Sequence, residues 1–115
     1  MLKKFCYVPL FILLLISKPL LAESGWTSST QVLEITATTA GKFIIHAVPK
    51  DNPTDCKDKE RFFLDYGLSG ANKVYDLLLD ATVLQLPVKL YITGRCELFG
   101  MSELSKASIV MGHKP

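Results

Sequence analysis

Beyond residue 30 the chain is built on alternation of apolar and polar positions, and the period changes clearly in only one place. In residues 30–38, Val32, Glu34 and Thr36 fall on one side and Leu33, Ile35 and Ala37 on the other. With its β-branched content, this predicts a first strand with one wet face. Ala40-Gly41 is a turn signal. Residues 42–48 form a second strand, with Phe43, Ile45 and Ala47 set against Ile44 and His46. The short connection predicts an antiparallel hairpin. Residues 49–60 are a polar loop. A third strand covers 61–66, where Phe62, Leu64 and Tyr66 alternate with Phe63 and Asp65, and glycines at 67 and 70 break it.

Over residues 71–84 the period shifts to that of a helix. Ala71, Val74, Leu78 and Ala81 make one stripe, widened by Tyr75, Leu77 and Leu84, with Asn72, Lys73, Asp76 and Asp80 mostly opposite. That is an amphipathic helix, with Ser69 as its expected N-cap. Beyond Pro87, residues 88–93 return to alternation, with Val88, Leu90 and Ile92 inward and Lys89, Tyr91 and Thr93 outward. Residues 97–105 read as a loop and 107–111 as a short fifth strand. Five short antiparallel strands leave exposed edges, which curling into a small barrel relieves. The expected fold is therefore mainly β: a five-stranded OB-like barrel with one helix between strands three and four. A flat α+β sheet with the helix on one face is the alternative.

Residues 1–22 change the reading of the composition. Lys3 and Lys4 precede a 12-residue apolar run at 5–16, and Leu20-Leu21-Ala22 then offers a small residue for cleavage. This is the order of a secretory signal peptide, and the run is shorter than the roughly 20 residues of a membrane span. The expected organisation is a signal peptide at 1–22 and a single OB-like domain at 23–115, secreted or periplasmic and not membrane-spanning after processing. The whole chain has 13 Lys+Arg and 11 Asp+Glu; without Lys3, Lys4 and Lys18 the balance is 10 to 11, a net −1. Broad electrostatic capture of nucleic acid is not supported at that balance. Cys6 leaves with the signal, so Cys56 and Cys96 remain. Two cysteines in an exported domain read as one disulfide. A metal pair is the weaker alternative, because His46 and His113 show no clustered spacing with the cysteines.

Catalytic patterns are sparse. There is no Gly-x-Ser-x-Gly elbow and no glycine-rich phosphate loop. No catalytic residue, cofactor or metal is therefore expected. His46 reads as a strand residue. Asp51, Asp55, Asp58 and Glu60 are interleaved with Lys50, Lys57, Lys59 and Arg61, and lack the central glycine of a calcium loop. Exposed aromatics are the remaining signal. Trp26, the single tryptophan, is followed by Thr27, Ser28, Ser29 and Thr30, and Tyr91 points outward from strand four. Small β-domains hold sugars with an aromatic face on apolar C–H groups and nearby polar side chains on hydroxyls. Trp26, Ser28, Ser29 and Tyr91 are the candidate ligand-binding residues. The bland alternative for Trp26 is a plug at one end of the barrel.

The order of motifs also carries a resemblance. Gly25-Trp26-Thr27 leads into the first strand, and Asn52-Pro53 precedes Cys56. The aromatic strand Phe62-Phe63-Leu64-Asp65, the helix Tyr75-Asp76-Leu77-Leu78-Leu79-Asp80-Ala81, a Val-x-Leu-Tyr-Ile strand and Cys96 follow. This resembles small secreted bacterial proteins similar to the B subunit of subtilase cytotoxin. The resemblance implies an OB-type fold, rings of five subunits, recognition of cell-surface glycans and a separate catalytic subunit. The expected function is a secreted carbohydrate-binding, toxin-B-subunit-like protein that forms a homopentamer. The alternative is a non-catalytic periplasmic or secreted protein-interaction module, an inhibitor or stress protein, without a sugar site.

Overall fold

A computed structural model describes residues 24–111. The expected signal peptide at 1–22, Cys6 and His113 lie outside the described residues. The elements in chain order are β1 (Gly25–Trp26), β2 (Val32–Ala37), β3 (Lys42–Ala47), β4 (Asp58–Asp65), α1 (Ala71–Leu84), β5 (Val88–Ile92) and β6 (Met101–Ile109). The fold is mainly β with one helix. Among the described residues, no helix is long and apolar enough to cross a membrane.

The six strands form one mixed sheet in the order β1-β5-β6-β4-β3-β2. This corrects the expected five-stranded OB-like barrel of antiparallel strands in three ways: closure, strand direction and strand count. The sheet ends at β1 and β2 rather than closing in one continuous ladder, and β4 and β6 run parallel while the other neighbours are antiparallel. The extra strand arises because the first expected strand is divided. The backbone N–H of Ser28 donates to Asp51 O at 3.0 Å instead of continuing a ladder. On either side of it, Thr27 N–H donates to Leu90 O and Thr30 N–H to Val88 O, both at 2.8 Å. The segment that starts along β5 thus ends along β3, and the two end strands of the sheet are consecutive in the chain.

Two bulges displace side chains from the expected alternation. Val32 pairs with Ala47 and Glu34 with His46, so Leu33 is an additional residue on β2. A single inserted residue switches which side chains face inward. Val32 and Ile35 therefore both reach the core, while Leu33 is 59% exposed. In β6, Tyr91 pairs with Lys106 and Ile92 with Leu104, which leaves Ser105 extra. Leu104 lies inward before the bulge and Ala107 and Ile109 after it. The expected loop at 97–105 is in its second half part of a nine-residue strand.

The helix spans the expected residues, but its cap differs. Gly70, with φ 87°, occupies the N-cap position, with no side-chain cap bond. Its carbonyl accepts Lys73 N–H at 2.9 Å and Val74 N–H at 3.3 Å. A left-handed turn of this kind suits glycine, and Ser69 stays outside the helix. Ala71, Leu78 and Ala81 are buried as the stripe predicts, while Leu84 is exposed. The helix packs mainly on β6 and β2. Tyr75 stacks on Phe43 at 4.1 Å between centroids, and Phe43 meets Tyr66 at 4.3 Å. Phe62 and Phe63 are both buried, although they alternate along β4. Phe62 joins the main core, and Phe63 lies between Ile44 and Glu103 across the strands.

Cys56 and Cys96 form a disulfide with Cα atoms 5.4 Å apart. It ties the polar loop before β4 to the exit of β5. That loop is well anchored. Thr54 Oγ1 lies 2.6 Å from Ser102 Oγ and accepts Cys56 N–H at 2.9 Å, while the Lys59 ammonium donates to Thr54 O at 2.9 Å.

Candidate functional site

The geometry of β1 and β5 brings two of the four candidate ligand residues together. Gly25 pairs with Ile92 and Trp26 with Tyr91. Directly opposed residues on an antiparallel pair project to the same face. The two rings meet edge to face, with centroids 5.3 Å apart and planes at 72°. Trp26 is 40% exposed and Tyr91 is half-buried. An edge-to-face pair leaves aromatic surface available instead of hiding both rings against each other.

Two lysines frame the pair. Lys89 shares a face with Tyr91, two residues away on β5, and its Nζ lies 5.4 Å from the Trp26 ring centroid. Lys106 pairs with Tyr91 across the β5–β6 ladder, and its Nζ lies 4.5 Å from the Tyr91 ring centroid. Ammonium groups at such distances are attracted to the ring faces. The result is a row of Lys89, Trp26, Tyr91 and Lys106 across three strands. Outward alternation in β5 makes Lys89 legible beside Tyr91 in the sequence. Lys106 is legible only once the register is known.

The two serines behave differently. Ser28 Oγ accepts Asp51 N–H at 2.9 Å and sits 3.4 Å from Asp51 O, so its hydroxyl serves the loop between β3 and β4. Ser29 is exposed. Buried Thr27 donates its hydroxyl to Ser28 O at 2.8 Å and accepts Leu90 N–H at 3.2 Å. The polar run after Trp26 thus holds the segment against β5 and the loop, and this sets where the indole stands.

Several other titratable groups form structural pairs. His46 Nε2 is 3.7 Å from Glu60 Oε1. Glu103 is buried; its Oε1 accepts the Thr93 hydroxyl at 2.9 Å and lies 3.6 Å from Arg95 Nη1. A hydrogen bond to Glu97, followed by the charge of Glu103, raises the pKa of Arg95 above its ordinary value. Asp58 Oδ1 accepts the N–H groups of Glu60 and Arg61, and its carboxylate lies 3.7 Å from Arg61. Among the described residues, no three His, Cys, Asp or Glu side chains gather in a way that would hold a metal ion.

A further exposed aromatic escapes the alternation pattern. Phe99 lies in the β5–β6 connection and is 89% exposed. Its φ is 54° and that of Leu98 is 30°, both in the left-handed region. Set against family models, curated proteins and solved structures, the chain matches none of them.

Proposed function

We propose that this chain is a secreted, non-catalytic carbohydrate-binding subunit of the toxin-B type, working as a homo-oligomer, with a pentamer as the assembly implied by the resemblance. The carrying observation is the row of Lys89, Trp26, Tyr91 and Lys106 on one outward face. A sugar ring resting on the exposed indole meets an apolar partner for its C–H face. The two ammonium groups bring several N–H donors for its hydroxyls.

An OB-type topology, left open between β1 and β2, is the finer fold that we infer for it. Three features favour that plan: β1 and β2 are consecutive yet pair with β5 and β3, β4 runs parallel to β6, and the helix lies between β4 and β5. Export is favoured by the residue order at 1–22 and by the Cys56–Cys96 disulfide. Weak single-site sugar affinity suits an oligomer, because several sites facing one membrane raise avidity by about 10²–10⁴.

A glycan array on the oxidised protein tests the reading, followed by titration of the best ligand. Trp26 is the sole tryptophan, so its intrinsic fluorescence reports the site directly. Saturable binding that shifts Trp26 emission and is lost in Trp26→Ala supports the proposal. A blank array would move the assignment to a protein-interaction module without a sugar site.

A further inference from the structure

Lys89 and Lys106 are diagonal neighbours on the outward face of the β5–β6 ladder. Lys89 stands opposite Ser108 and Tyr91 opposite Lys106, so the two lysines lie on adjacent strands, two residues out of step. The bulge at Ser105 lies before Lys106 and leaves this register intact. Residues so related project to one face from positions about 7–8 Å apart. Among the described residues, neither ammonium pairs with a carboxylate, whereas Lys42 pairs with Asp65, Arg61 with Asp58, and Arg95 with Glu97 and Glu103. Each lies over an aromatic ring instead, Lys89 over Trp26 and Lys106 over Tyr91. The clustering is local, because beyond residue 22 the chain has a net charge of −1. Two like charges kept this close with no acid between them repel each other, and negative groups placed against them turn that repulsion into attraction.

The rings between the two cations are aromatic and in part exposed, so a ligand that uses the whole face has an apolar ring face with negative charge on both sides of it. That both cations are lysines narrows the chemistry. A guanidinium matches a planar carboxylate through two parallel bonds, whereas an ammonium acts as a point charge with three rotatable donors. Three donors suit the three terminal oxygens of a sulfate ester. We propose that this face binds a saccharide carrying a sulfate ester on each of two neighbouring sugars, one against Lys89 and one against Lys106, with a sugar ring resting on the exposed aromatic surface. Ser108, opposite Lys89 on the same face, adds a hydroxyl beside the first sulfate. The inference rests on the glycan reading of the Trp26 face and names its ligand class.

Titration of the oxidised protein, followed by Trp26 emission, tests this with lactose bearing a sulfate ester on each sugar, its singly sulfated and unsulfated forms, and a lactose bearing a carboxylate on each sugar. The disulfated form is expected to bind about tenfold or more tighter than lactose, with the singly sulfated form between them. Lys89→Gln and Lys106→Gln each keep N–H donors but lose the charge, and each should bring the disulfated form down to the affinity of the singly sulfated one. Lys89→Arg and Lys106→Arg should retain most of the preference for charge. Lys73→Gln, exposed on the helix, removes the same net charge elsewhere and should leave the preference in place. The ligand series on wild type tests the charge preference without any variant. A disulfated form no tighter than the singly sulfated or unsulfated one, a dicarboxylate that binds more tightly than the disulfate, or a preference that survives both Gln variants or falls equally in Lys73→Gln overturns the proposal. A glycan array with hits among neutral glycans alone overturns this inference and leaves the glycan reading standing. A blank array, sulfated glycans included, overturns the glycan reading and this inference with it.

Discussion

Trp26 and Tyr91 are direct cross-strand partners, and their rings meet edge to face with centroids 5.3 Å apart. β1 has only two residues, so this contact is a large part of what holds it to β5. Aromatic pairs of this geometry contribute about 0.5–1.5 kcal/mol beyond their buried area. A double-mutant cycle through Trp26→Ala, Tyr91→Ala and the pair should return a coupling in that range, measured by denaturant unfolding followed by circular dichroism. Additive effects would mean that the two rings act independently and that β1 is held by its backbone and Thr27 alone.

Part of this architecture is legible in the sequence because two core strands, β3 and β5, keep a strict period of two. In β3, Phe43, Ile45 and Ala47 are buried as the pattern requires, and in β5 so are Val88, Leu90 and Ile92. The helix is legible because Ala71, Leu78 and Ala81 recur at helical spacing between a glycine-bounded turn and Pro87. What escapes the pattern has local causes. Leu33 and Ser105 are bulged residues, and each reverses the alternation partway along its strand, so β6 reads as a loop followed by a short strand. Ser69 is a plausible cap by composition, but the left-handed φ of Gly70 supplies the turn through the backbone. The parallel pairing of β4 with β6 depends on a return path that no local periodicity encodes. At the candidate site, the outward direction of Tyr91 and Lys89 follows from β5 itself. The approach of Lys106 needs the β5–β6 register, and the diversion of the Ser28 hydroxyl to Asp51 needs the loop in place.

Leu78 has no exposed surface and sits at the centre of the helix face that meets the sheet. Leu78→Ala removes that burial and leaves a cavity, for an expected loss of about 2–5 kcal/mol. Asp76 lies on the exposed side, and Asp76→Ala should change stability by less than about 0.5 kcal/mol. Urea midpoints of the two variants provide the comparison. Similar midpoints would show that the helix does not pack through this face.

Gly41 and Gly100 separate two costs of replacing a glycine. Both have positive φ, at 83° and 81°. A Cβ on Gly41 would have no atom within 4 Å, whereas on Gly100 it would lie 3.0 Å from Lys57 Cβ. Gly41→Ala should therefore cost only the left-handed backbone penalty, about 1–2 kcal/mol. Gly100→Ala adds the displacement of Lys57 next to the disulfide-linked loop, so its loss should exceed that of Gly41→Ala by about 1 kcal/mol or more. Thermal midpoints measured side by side decide the order. The reverse order would mean that the segment before β4 yields easily.

The Cys56–Cys96 bond closes a sequence separation of 40 residues that contains β4, the helix and β5. The chain-entropy relation for a loop of that length gives about 4 kcal/mol, which is large beside the roughly 5–15 kcal/mol total of a small domain. Much of that effect acts on the unfolded chain, since the open chain explores more conformations and exposes more surface. Cys56→Ala/Cys96→Ala should therefore lower the denaturant midpoint strongly and raise the m-value, because m follows the surface exposed on unfolding. Cys56 is itself buried, so a local packing loss adds to the drop in midpoint without raising m. Equilibrium urea curves of the oxidised wild type, the reduced wild type and the double variant distinguish the two contributions. Reduced wild type and the double variant should share the steeper slope. A drop in midpoint with no change of slope in either would place the whole effect of the disulfide in the folded state.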